Sequence, residues 1–270
     1  MEKKKNDFIA QGSILAIASI LVRVMGMIYR IPMTAIIGDK GNGFYSYAYS
    51  VYTILLLLSS YSLPLAVSKM VSAKAQLGQW RNVKRVFICA IAFAIGIGTT
   101  FGLTVLIGAQ FFTRVFFHSE LAAIALRFMA PTILIMALLG VFRGFFQGLQ
   151  NTLPTAVSQI VEGLINAIMS VVFAYFLFDF GHGMDVASGT TDLGYAWGAA
   201  GGAIGTGAGA LAGLIFCFIL FVAYRKILAV NISRDKTGTQ QEYGDIFRLM
   251  LSIALPVILS TALYNLIELV

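Results

Sequence analysis

Apolar residues run almost without interruption through seven stretches of this chain: 8–37, 44–67, 86–112, 121–139, 155–178, 194–224, and 246 to the last residue. Each of the first six is long enough to cross roughly 30 Å of hydrocarbon at about 1.5 Å per residue, allowing for tilt. Lipid offers no partner to an unpaired backbone group, and barrel strands would alternate apolar and polar positions, so continuous runs predict helices. The expected fold is all-α, a polytopic transmembrane bundle. Its predicted organisation is a six-helix lobe over 1–230, a polar linker over 231–245, and the first helix of a further lobe over 246–270.

Composition strengthens this reading. Of 270 residues, 59% are hydrophobic and 11% charged, with a mean hydropathy of +0.85, whereas soluble domains carry about 25% charged residues. The opening MEKKKND precedes an apolar run that continues through Ile37 without a small-residue cleavage site. It reads as a retained first helix and not as a signal peptide. The chain stops inside the apolar run LSTALYNLIELV, which reads as part of a longer transporter.

The net charge of +7 sits in short polar intervals, which is how cytoplasmic membrane loops look, and so does not point to nucleic acid. Lys3, Lys4 and Lys5 precede the first run; Lys69, Lys74, Arg81, Lys84 and Arg85 lie between the second and third. Arg143 follows the fourth, and Arg225, Lys226, Arg234, Lys236 and Arg248 surround the linker. The alternate intervals hold only Lys40 and Arg114. The asymmetry predicts a multi-pass protein of the cytoplasmic membrane with its N-terminus inside. Cys89 and Cys217 both fall in apolar runs and form no disulfide or metal pattern.

Charged residues inside the spans are the candidate working parts. A charge near mid-bilayer costs at least ~2.5–3.5 kcal/mol on insertion scales and persists only with a partner, water or a task. In LVRVMGMIYRIPMTAIIG, Arg23 lies near mid-membrane and Arg30 two turns further out on the same face, with Asp39 at the outer mouth. Two stacked guanidinium groups suit an anion such as a diphosphate, because their forked donors match phosphate oxygens. The plainer readings are snorkelling for Arg30 and a salt bridge to Glu162 or Glu268 for Arg23. Arg127, in the outer part of the fourth span, either joins the cluster or reaches the interface. Glu162 lies about two turns into the fifth span, roughly 10 Å past Thr155. Arg23, Lys69 and Arg143 are its candidate partners, and its expected role is a structural pair or a gating or ion-coupling site.

Other motifs read as architecture. In GYAWGAAGGAIGTGAGALAG, Gly194, Gly198 and Gly202 form one ladder at four-residue spacing, and Gly201, Gly205, Gly209 and Gly213 another. Such ladders let helices approach closely in lipid. The connector RGFFQGLQNTLPTAVSQIVEG, Arg143–Gly163, has Asn151 or Thr152 placed to cap a helix that Pro154 begins. His182, Asp185 and Ser188 fall in FGHGMDVASGTTD, expected as a short flexible outer loop that would not fix them as a triad. No H-E-x-x-H, G-x-S-x-G or P-loop occurs, and no residue set points to an enzyme, a cofactor or a metal.

Arg23-x-x-Gly26, Tyr29-Arg30-Ile31-Pro32, Ile37-Gly38-Asp39, the stretch FYSYAYSVYTILLLLSSYSLPLAVSKMVSAK, and RGFFQGLQNTLPTAVSQIVE together resemble the polysaccharide-biosynthesis branch of the MOP exporters, and within it the MurJ/SpoVB-type lipid II flippases. Ser62 stands before Leu63-Pro64 where relatives usually carry glycine. The resemblance implies a MATE-like transporter of two six-helix lobes around a central cavity, this chain supplying the first lobe. It further implies alternating-access transfer of an undecaprenyl-diphosphate-linked oligosaccharide such as lipid II, driven by membrane potential, H+ or Na+, in the setting of the cell-wall synthesis machinery. By matching position, diphosphate binding would fall on Arg23 and Arg30 and gating on Asp39, with Lys69, Arg127, Arg143, Glu162 and Glu268 as further candidates. A cation-coupled multidrug exporter of the same superfamily would favour acidic and aromatic residues over an arginine pair. A non-transporting scaffold for envelope or spore-coat assembly is the alternative from another class.

Overall fold

The computed structural model describes residues 2–60 and 62–268, with side chains over 12–60 and 62–260. Its helices are α1 (Glu2–Ser59), α2 (Leu63–Gln76), α3 (Trp80–Phe117), α4 (Ala122–Gly148), α5 (Leu153–Ser188), α6 (Leu193–Ser233) and α7 (Tyr243–Glu268). Six stretches, from Gly12–Gln76 to Tyr243–Ser260, are long and apolar enough to cross a membrane. The first is 65 residues long, about 98 Å of helix and enough for two crossings. The protein is a multi-pass membrane protein.

The first two predicted spans are joined differently from expectation. In place of an outer loop there is a corner of one residue, Gly38, at φ 62 and ψ −177 within α1. An L side chain is strained there, and glycine is not. Met33 before the corner and Tyr45 after it both lie against Gly202 of α6, so the two limbs of α1 run back alongside each other.

The second limb ends at Ser59, and the chain resumes as helix at Leu63, so the expected continuous span is broken at a buried Ser59, Ser60 and Ser62. Pro64 in the first turn of α2 explains the break, because its ring lacks the N–H and crowds the preceding turn. Ser62 has ordinary right-handed angles, φ −79 and ψ −18. Nothing at that position demands glycine.

Small residues draw the helices together. On α4, Gly140, Gly144 and Gly148 face Pro64, Val67 and Val71 of α2. On α6 the two predicted ladders divide only in part between neighbours, since Gly194 of the first also lies against α5, at His182. Gly201, Gly205 and Gly209 meet the backbone of α5 at Phe173–Ala174, Ser170 and Glu162, while Gly198 and Gly202 meet Ile37, Met33 and Tyr45 of α1. Side chains of ordinary size at these places would separate the helices and forfeit dispersion contacts, which carry much of helix association in lipid.

Two apolar cores result. The one nearer Gly38 gathers Met33, Ile37, Leu126, Met129 and Ile133. The other centres on phenylalanine: Phe87 stacks on Phe221 at 4.5 Å and meets Phe145 edge-on at 5.0 Å. Ile246 and Met250 of α7, both fully buried, complete that second core.

Candidate functional site

The first limb of α1 has two unlike exposed flanks. Ile17, Leu21, Val24, Ile28 and Ile31 cover one, with Ile31 74% exposed. Ser19, Arg23, Gly26 and Arg30 recur every three or four residues along the other, and both arginines are exposed. Among the described residues the ion pairs are Lys40–Asp192, Arg114–Glu120 and Arg143–Glu162. Arg23 and Arg30 thus have no carboxylate partner there. The alternative salt bridge from Arg23 to Glu162 is not formed, and the side chain of Glu268 lies outside the described residues.

The second limb presents a polar stripe of Asn42, Ser46, Tyr49, Ser50 and Thr53, again at helical spacing. Ser50 donates to the Ser46 carbonyl at 2.9 Å and Thr53 to that of Tyr49 at 2.8 Å, so these hydroxyls lie down on their own helix. Tyr45 and Tyr49 stack at 5.7 Å, and Tyr52 follows at 5.8 Å from Tyr49. Tyr49 lies within electrostatic reach of both Arg30 and Glu162. The arginine flank and the tyrosine stripe therefore form one polar surface.

Behind it, α4 and α5 supply a buried pair. Arg143 donates through Nη2 to Glu162 Oε2 at 2.7 Å and through Nε to Ser158 Oγ at 2.8 Å. Ser158 passes its own hydrogen to the Thr155 carbonyl at 2.8 Å. Of Arg23, Lys69 and Arg143, the candidate partners for Glu162, the structure selects Arg143; Lys69 and, apart from these candidates, Arg127 are exposed and form no ion pair among the described residues. Thr155, Ser158, Glu162, Asn166 and Ser170 continue the polar track along α5, where Ser170 donates to Asn166 at 2.8 Å.

Both ends of the bundle hold a buried aspartate: Asp185, which the sequence places in a flexible loop, and Asp235, which the sequence reading does not single out. The expected flexible loop near Gly189 is helix through Ser188, and Asp185 inside it is 5% exposed. Its carboxylate accepts the N–H groups of Leu193 at 3.0 Å and Gly194 at 2.8 Å, which caps α6, and the Thr190 hydroxyl at 2.7 Å. Asp39, by contrast, is exposed beside the Gly38 corner, while Lys40 takes Asp192 at 3.0 Å.

At the opposite end, the linker between α6 and α7 is stitched to the start of α3. Asp235 accepts the Arg81 N–H at 2.9 Å and the Thr237 hydroxyl and N–H at 2.6 and 3.0 Å. These bonds, the Arg81 N–H foremost, lower its carboxyl to about 2. Fully buried Asn82 reads the linker backbone, donating to the Thr239 carbonyl at 3.1 Å and accepting from the Gln241 N–H at 3.0 Å. Arg85 donates to the Gln241 carbonyl and lies over the Tyr243 ring at 5.1 Å. The sequence signal for Asp235 was the D-x-T spacing, which favours an Asx turn.

Residues 8–270 match the family model described as polysaccharide biosynthesis protein. The chain belongs to that family. It is 26% identical to stage V sporulation protein B of Bacillus subtilis (strain 168), over 93% of this chain and 46% of the relative. It is 25% identical to lipid II flippase MurJ of the same organism, over 94% of this chain and 47% of the relative. The chain spans about half the length of the curated relatives it matches. Among solved structures, a MOP superfamily transporter from Pyrococcus furiosus Vc1 shares the fold with a TM-score of 0.66 at 16% identity, over 92% of this chain and 51% of that one. An outward-facing multidrug resistance MATE family transporter of the MOP superfamily gives the same TM-score, identity and coverage. The all-α fold and the likeness to a MATE-type transporter lobe agree with the sequence reading.

Proposed function

We propose that this chain is one lobe of a flippase that moves an undecaprenyl-diphosphate-linked oligosaccharide, lipid II being the leading substrate, across the cytoplasmic membrane by alternating access. The N-terminus and the linker lie on the cytoplasmic side, where the basic residues collect. The Gly38 corner and Asp39 lie at the outer mouth, Asp39 serving as a gate. Arg23 and Arg30 attract the diphosphate, and the polar surface they share with Tyr49 lines the cavity that a second lobe closes.

One observation carries this reading: two exposed arginines without a carboxylate partner among the described residues share one flank of a membrane helix whose other flank is apolar. Facing lipid, that arrangement is costly; facing a watered cavity, it is an anion path. The name of one Bacillus subtilis relative, lipid II flippase MurJ, agrees with it. A cation-exporting cavity would be expected to expose carboxylates in place of the arginines.

The test uses full-length protein in cells depleted of their own lipid II flippase. Wild type is expected to restore translocation, and Arg23→Ala or Arg30→Ala to lower it about 10- to 100-fold, the scale of a lost charged hydrogen bond. Arg23→Lys should recover only part, because an ammonium lacks the fork. Full rescue by Arg23→Ala at normal expression sinks the diphosphate role.

A further inference from the structure

The two limbs of α1 bring opposite hydrogen-bonding chemistry to one polar surface. Arginine carries donors and no acceptor, so Arg23 and Arg30 on the first limb suit phosphate oxygens. The second-limb hydroxyls have already spent their hydrogens: Ser50 donates to the Ser46 carbonyl at 2.9 Å and Thr53 to that of Tyr49 at 2.8 Å. What remains to them is lone pairs, which repel phosphate and accept from O–H groups.

Among these hydroxyls stands an aromatic ring with open surface. Tyr49 is 39% exposed, whereas Tyr45 and Tyr52, the rings beside it, are 3% and 2% exposed. Tyr45 stacks on Tyr49 at 5.7 Å with the planes 20° apart, Tyr52 lies at 5.8 Å, and the Tyr45 hydroxyl is 3.3 Å from that of Thr206 on α6. The Tyr49 ring is thus held in place before a ligand arrives, which lowers the ordering cost of stacking on it. Depth matches as well. The limbs run back alongside each other from Gly38, and by helical rise Arg30 lies about 12 Å from that corner, Tyr49 about 17 Å and Arg23 about 22 Å. Tyr49 is therefore level with the interval between the two arginines, and Arg30 lies within its electrostatic reach.

A ligand that meets all three features carries an anion, hydroxyl donors and an apolar C–H face at adjacent positions. A pyranose bonded directly to a diphosphate has them, because its slightly positive ring C–H groups are attracted to the negative face of an aromatic ring. We propose that Tyr49 is a sugar platform: it stacks on the first pyranose of the substrate, and Ser50 and Thr53 accept from that sugar's hydroxyls, while Arg23 and Arg30 hold the diphosphate. This rests on the diphosphate reading above and specifies which part of the substrate each limb of α1 reads. A loaded carrier lipid is thereby preferred over the same lipid diphosphate without sugar.

Full-length protein in nanodiscs tests this with two probes, undecaprenyl diphosphate and undecaprenyl diphosphate bearing a single pyranose. Wild type should bind the sugar-bearing probe about three- to tenfold more tightly, the scale of one aromatic face contact. Tyr49→Leu should bind both probes alike, at the affinity wild type shows for the bare diphosphate, whereas Tyr49→Phe keeps the ring and should keep the preference. Tyr47→Leu is the control and should keep it too, since Tyr47 is exposed on the opposite flank of the limb, with its ring 4.8 Å from that of Phe117. Arg23→Ala should weaken both probes equally and leave their ratio unchanged. If Arg23→Ala affects neither probe while Tyr49→Leu still removes the preference, the diphosphate reading fails and the platform stands. Equal binding of both probes by wild type, or a preference that survives in Tyr49→Leu, overturns the platform. So does a Tyr49→Leu chain that loses the bare diphosphate as well, because that marks a purely structural role.

Discussion

Arg143 and Glu162, nineteen residues apart in the chain, close α4 onto α5 at 2.7 Å with both side chains largely shielded from solvent. Removing one member of such a pair leaves a charge stranded; removing both does not. Arg143→Met is expected to lower unfolding free energy by about 2–3 kcal/mol, the buried-pair cost reduced for the partial exposure of Glu162. The double variant Arg143→Met with Glu162→Met should lose less than Arg143→Met alone. Thermal unfolding of Arg143→Met, Glu162→Met and the double variant in detergent decides it; strictly additive losses refute the pairing.

Gly205 rests directly on the backbone of Ser170, so a methyl group there meets the backbone nitrogen and α-carbon of α5 as well as the Ser170 hydroxyl. Gly205→Ala is expected to cost about 1–3 kcal/mol through forced separation of α5 and α6. Gly96→Ala has nothing within 4 Å and serves as the control. Unfolding by denaturant should separate the two. Equal stability would place the α5–α6 approach in error.

Asn82 holds the linker by its backbone and not by its side chains. Asn82→Ala strands the Thr239 carbonyl and the Gln241 N–H, a local loss of about 1–3 kcal/mol. Hydrogen exchange across 234–242 should quicken severalfold while α5 and α6 stay protected. Unchanged exchange in the linker would show that Arg85 and Asp235 suffice.

Asp235 ties stability to pH at the basic end of the bundle. Its carboxyl lies at about 2 when folded, below the ordinary value near 3.9. The stabilisation is therefore complete above about pH 4 and disappears as pH falls towards about 2. Asp235→Asn should melt lower than wild type at neutral pH, with the gap closing through that acid window. A gap that persists at pH ~2 would rule out the carboxylate as its source.

Much of the fold was legible because lipid punishes exposed backbone so heavily that apolar run length and loop charge nearly determine the helices. The two glycine ladders of α6 were readable for the same reason, although which neighbour each serves depends on rotation about the helix axis, which spacing alone leaves open. The Gly38 corner was not readable, since glycine before a polar pair suits a loop equally well. The anchoring roles of Asp185, read as part of a flexible loop, and of Asp235 were not readable because their donors lie on another helix, eight and 154 residues away in the chain for the nearest α6 and α3 amides. Glu162 stood out as a buried acid. Its partner could not be chosen from depth, because Arg23, Lys69 and Arg143 compete and only the packing of α4 on α5 separates them.

The corner at Gly38 also governs how this molecule can be labelled. A turn made of one residue has no slack, so a tag or reporter inserted there would pull Met33 and Tyr45 out of step against Gly202 and disturb the surface that carries Arg30 and Tyr49. Thr191, exposed in the turn between α5 and α6 at the same end, can carry a substituted side chain while Thr190 keeps its bond to Asp185. Sidedness is best mapped from that turn, with the corner left intact.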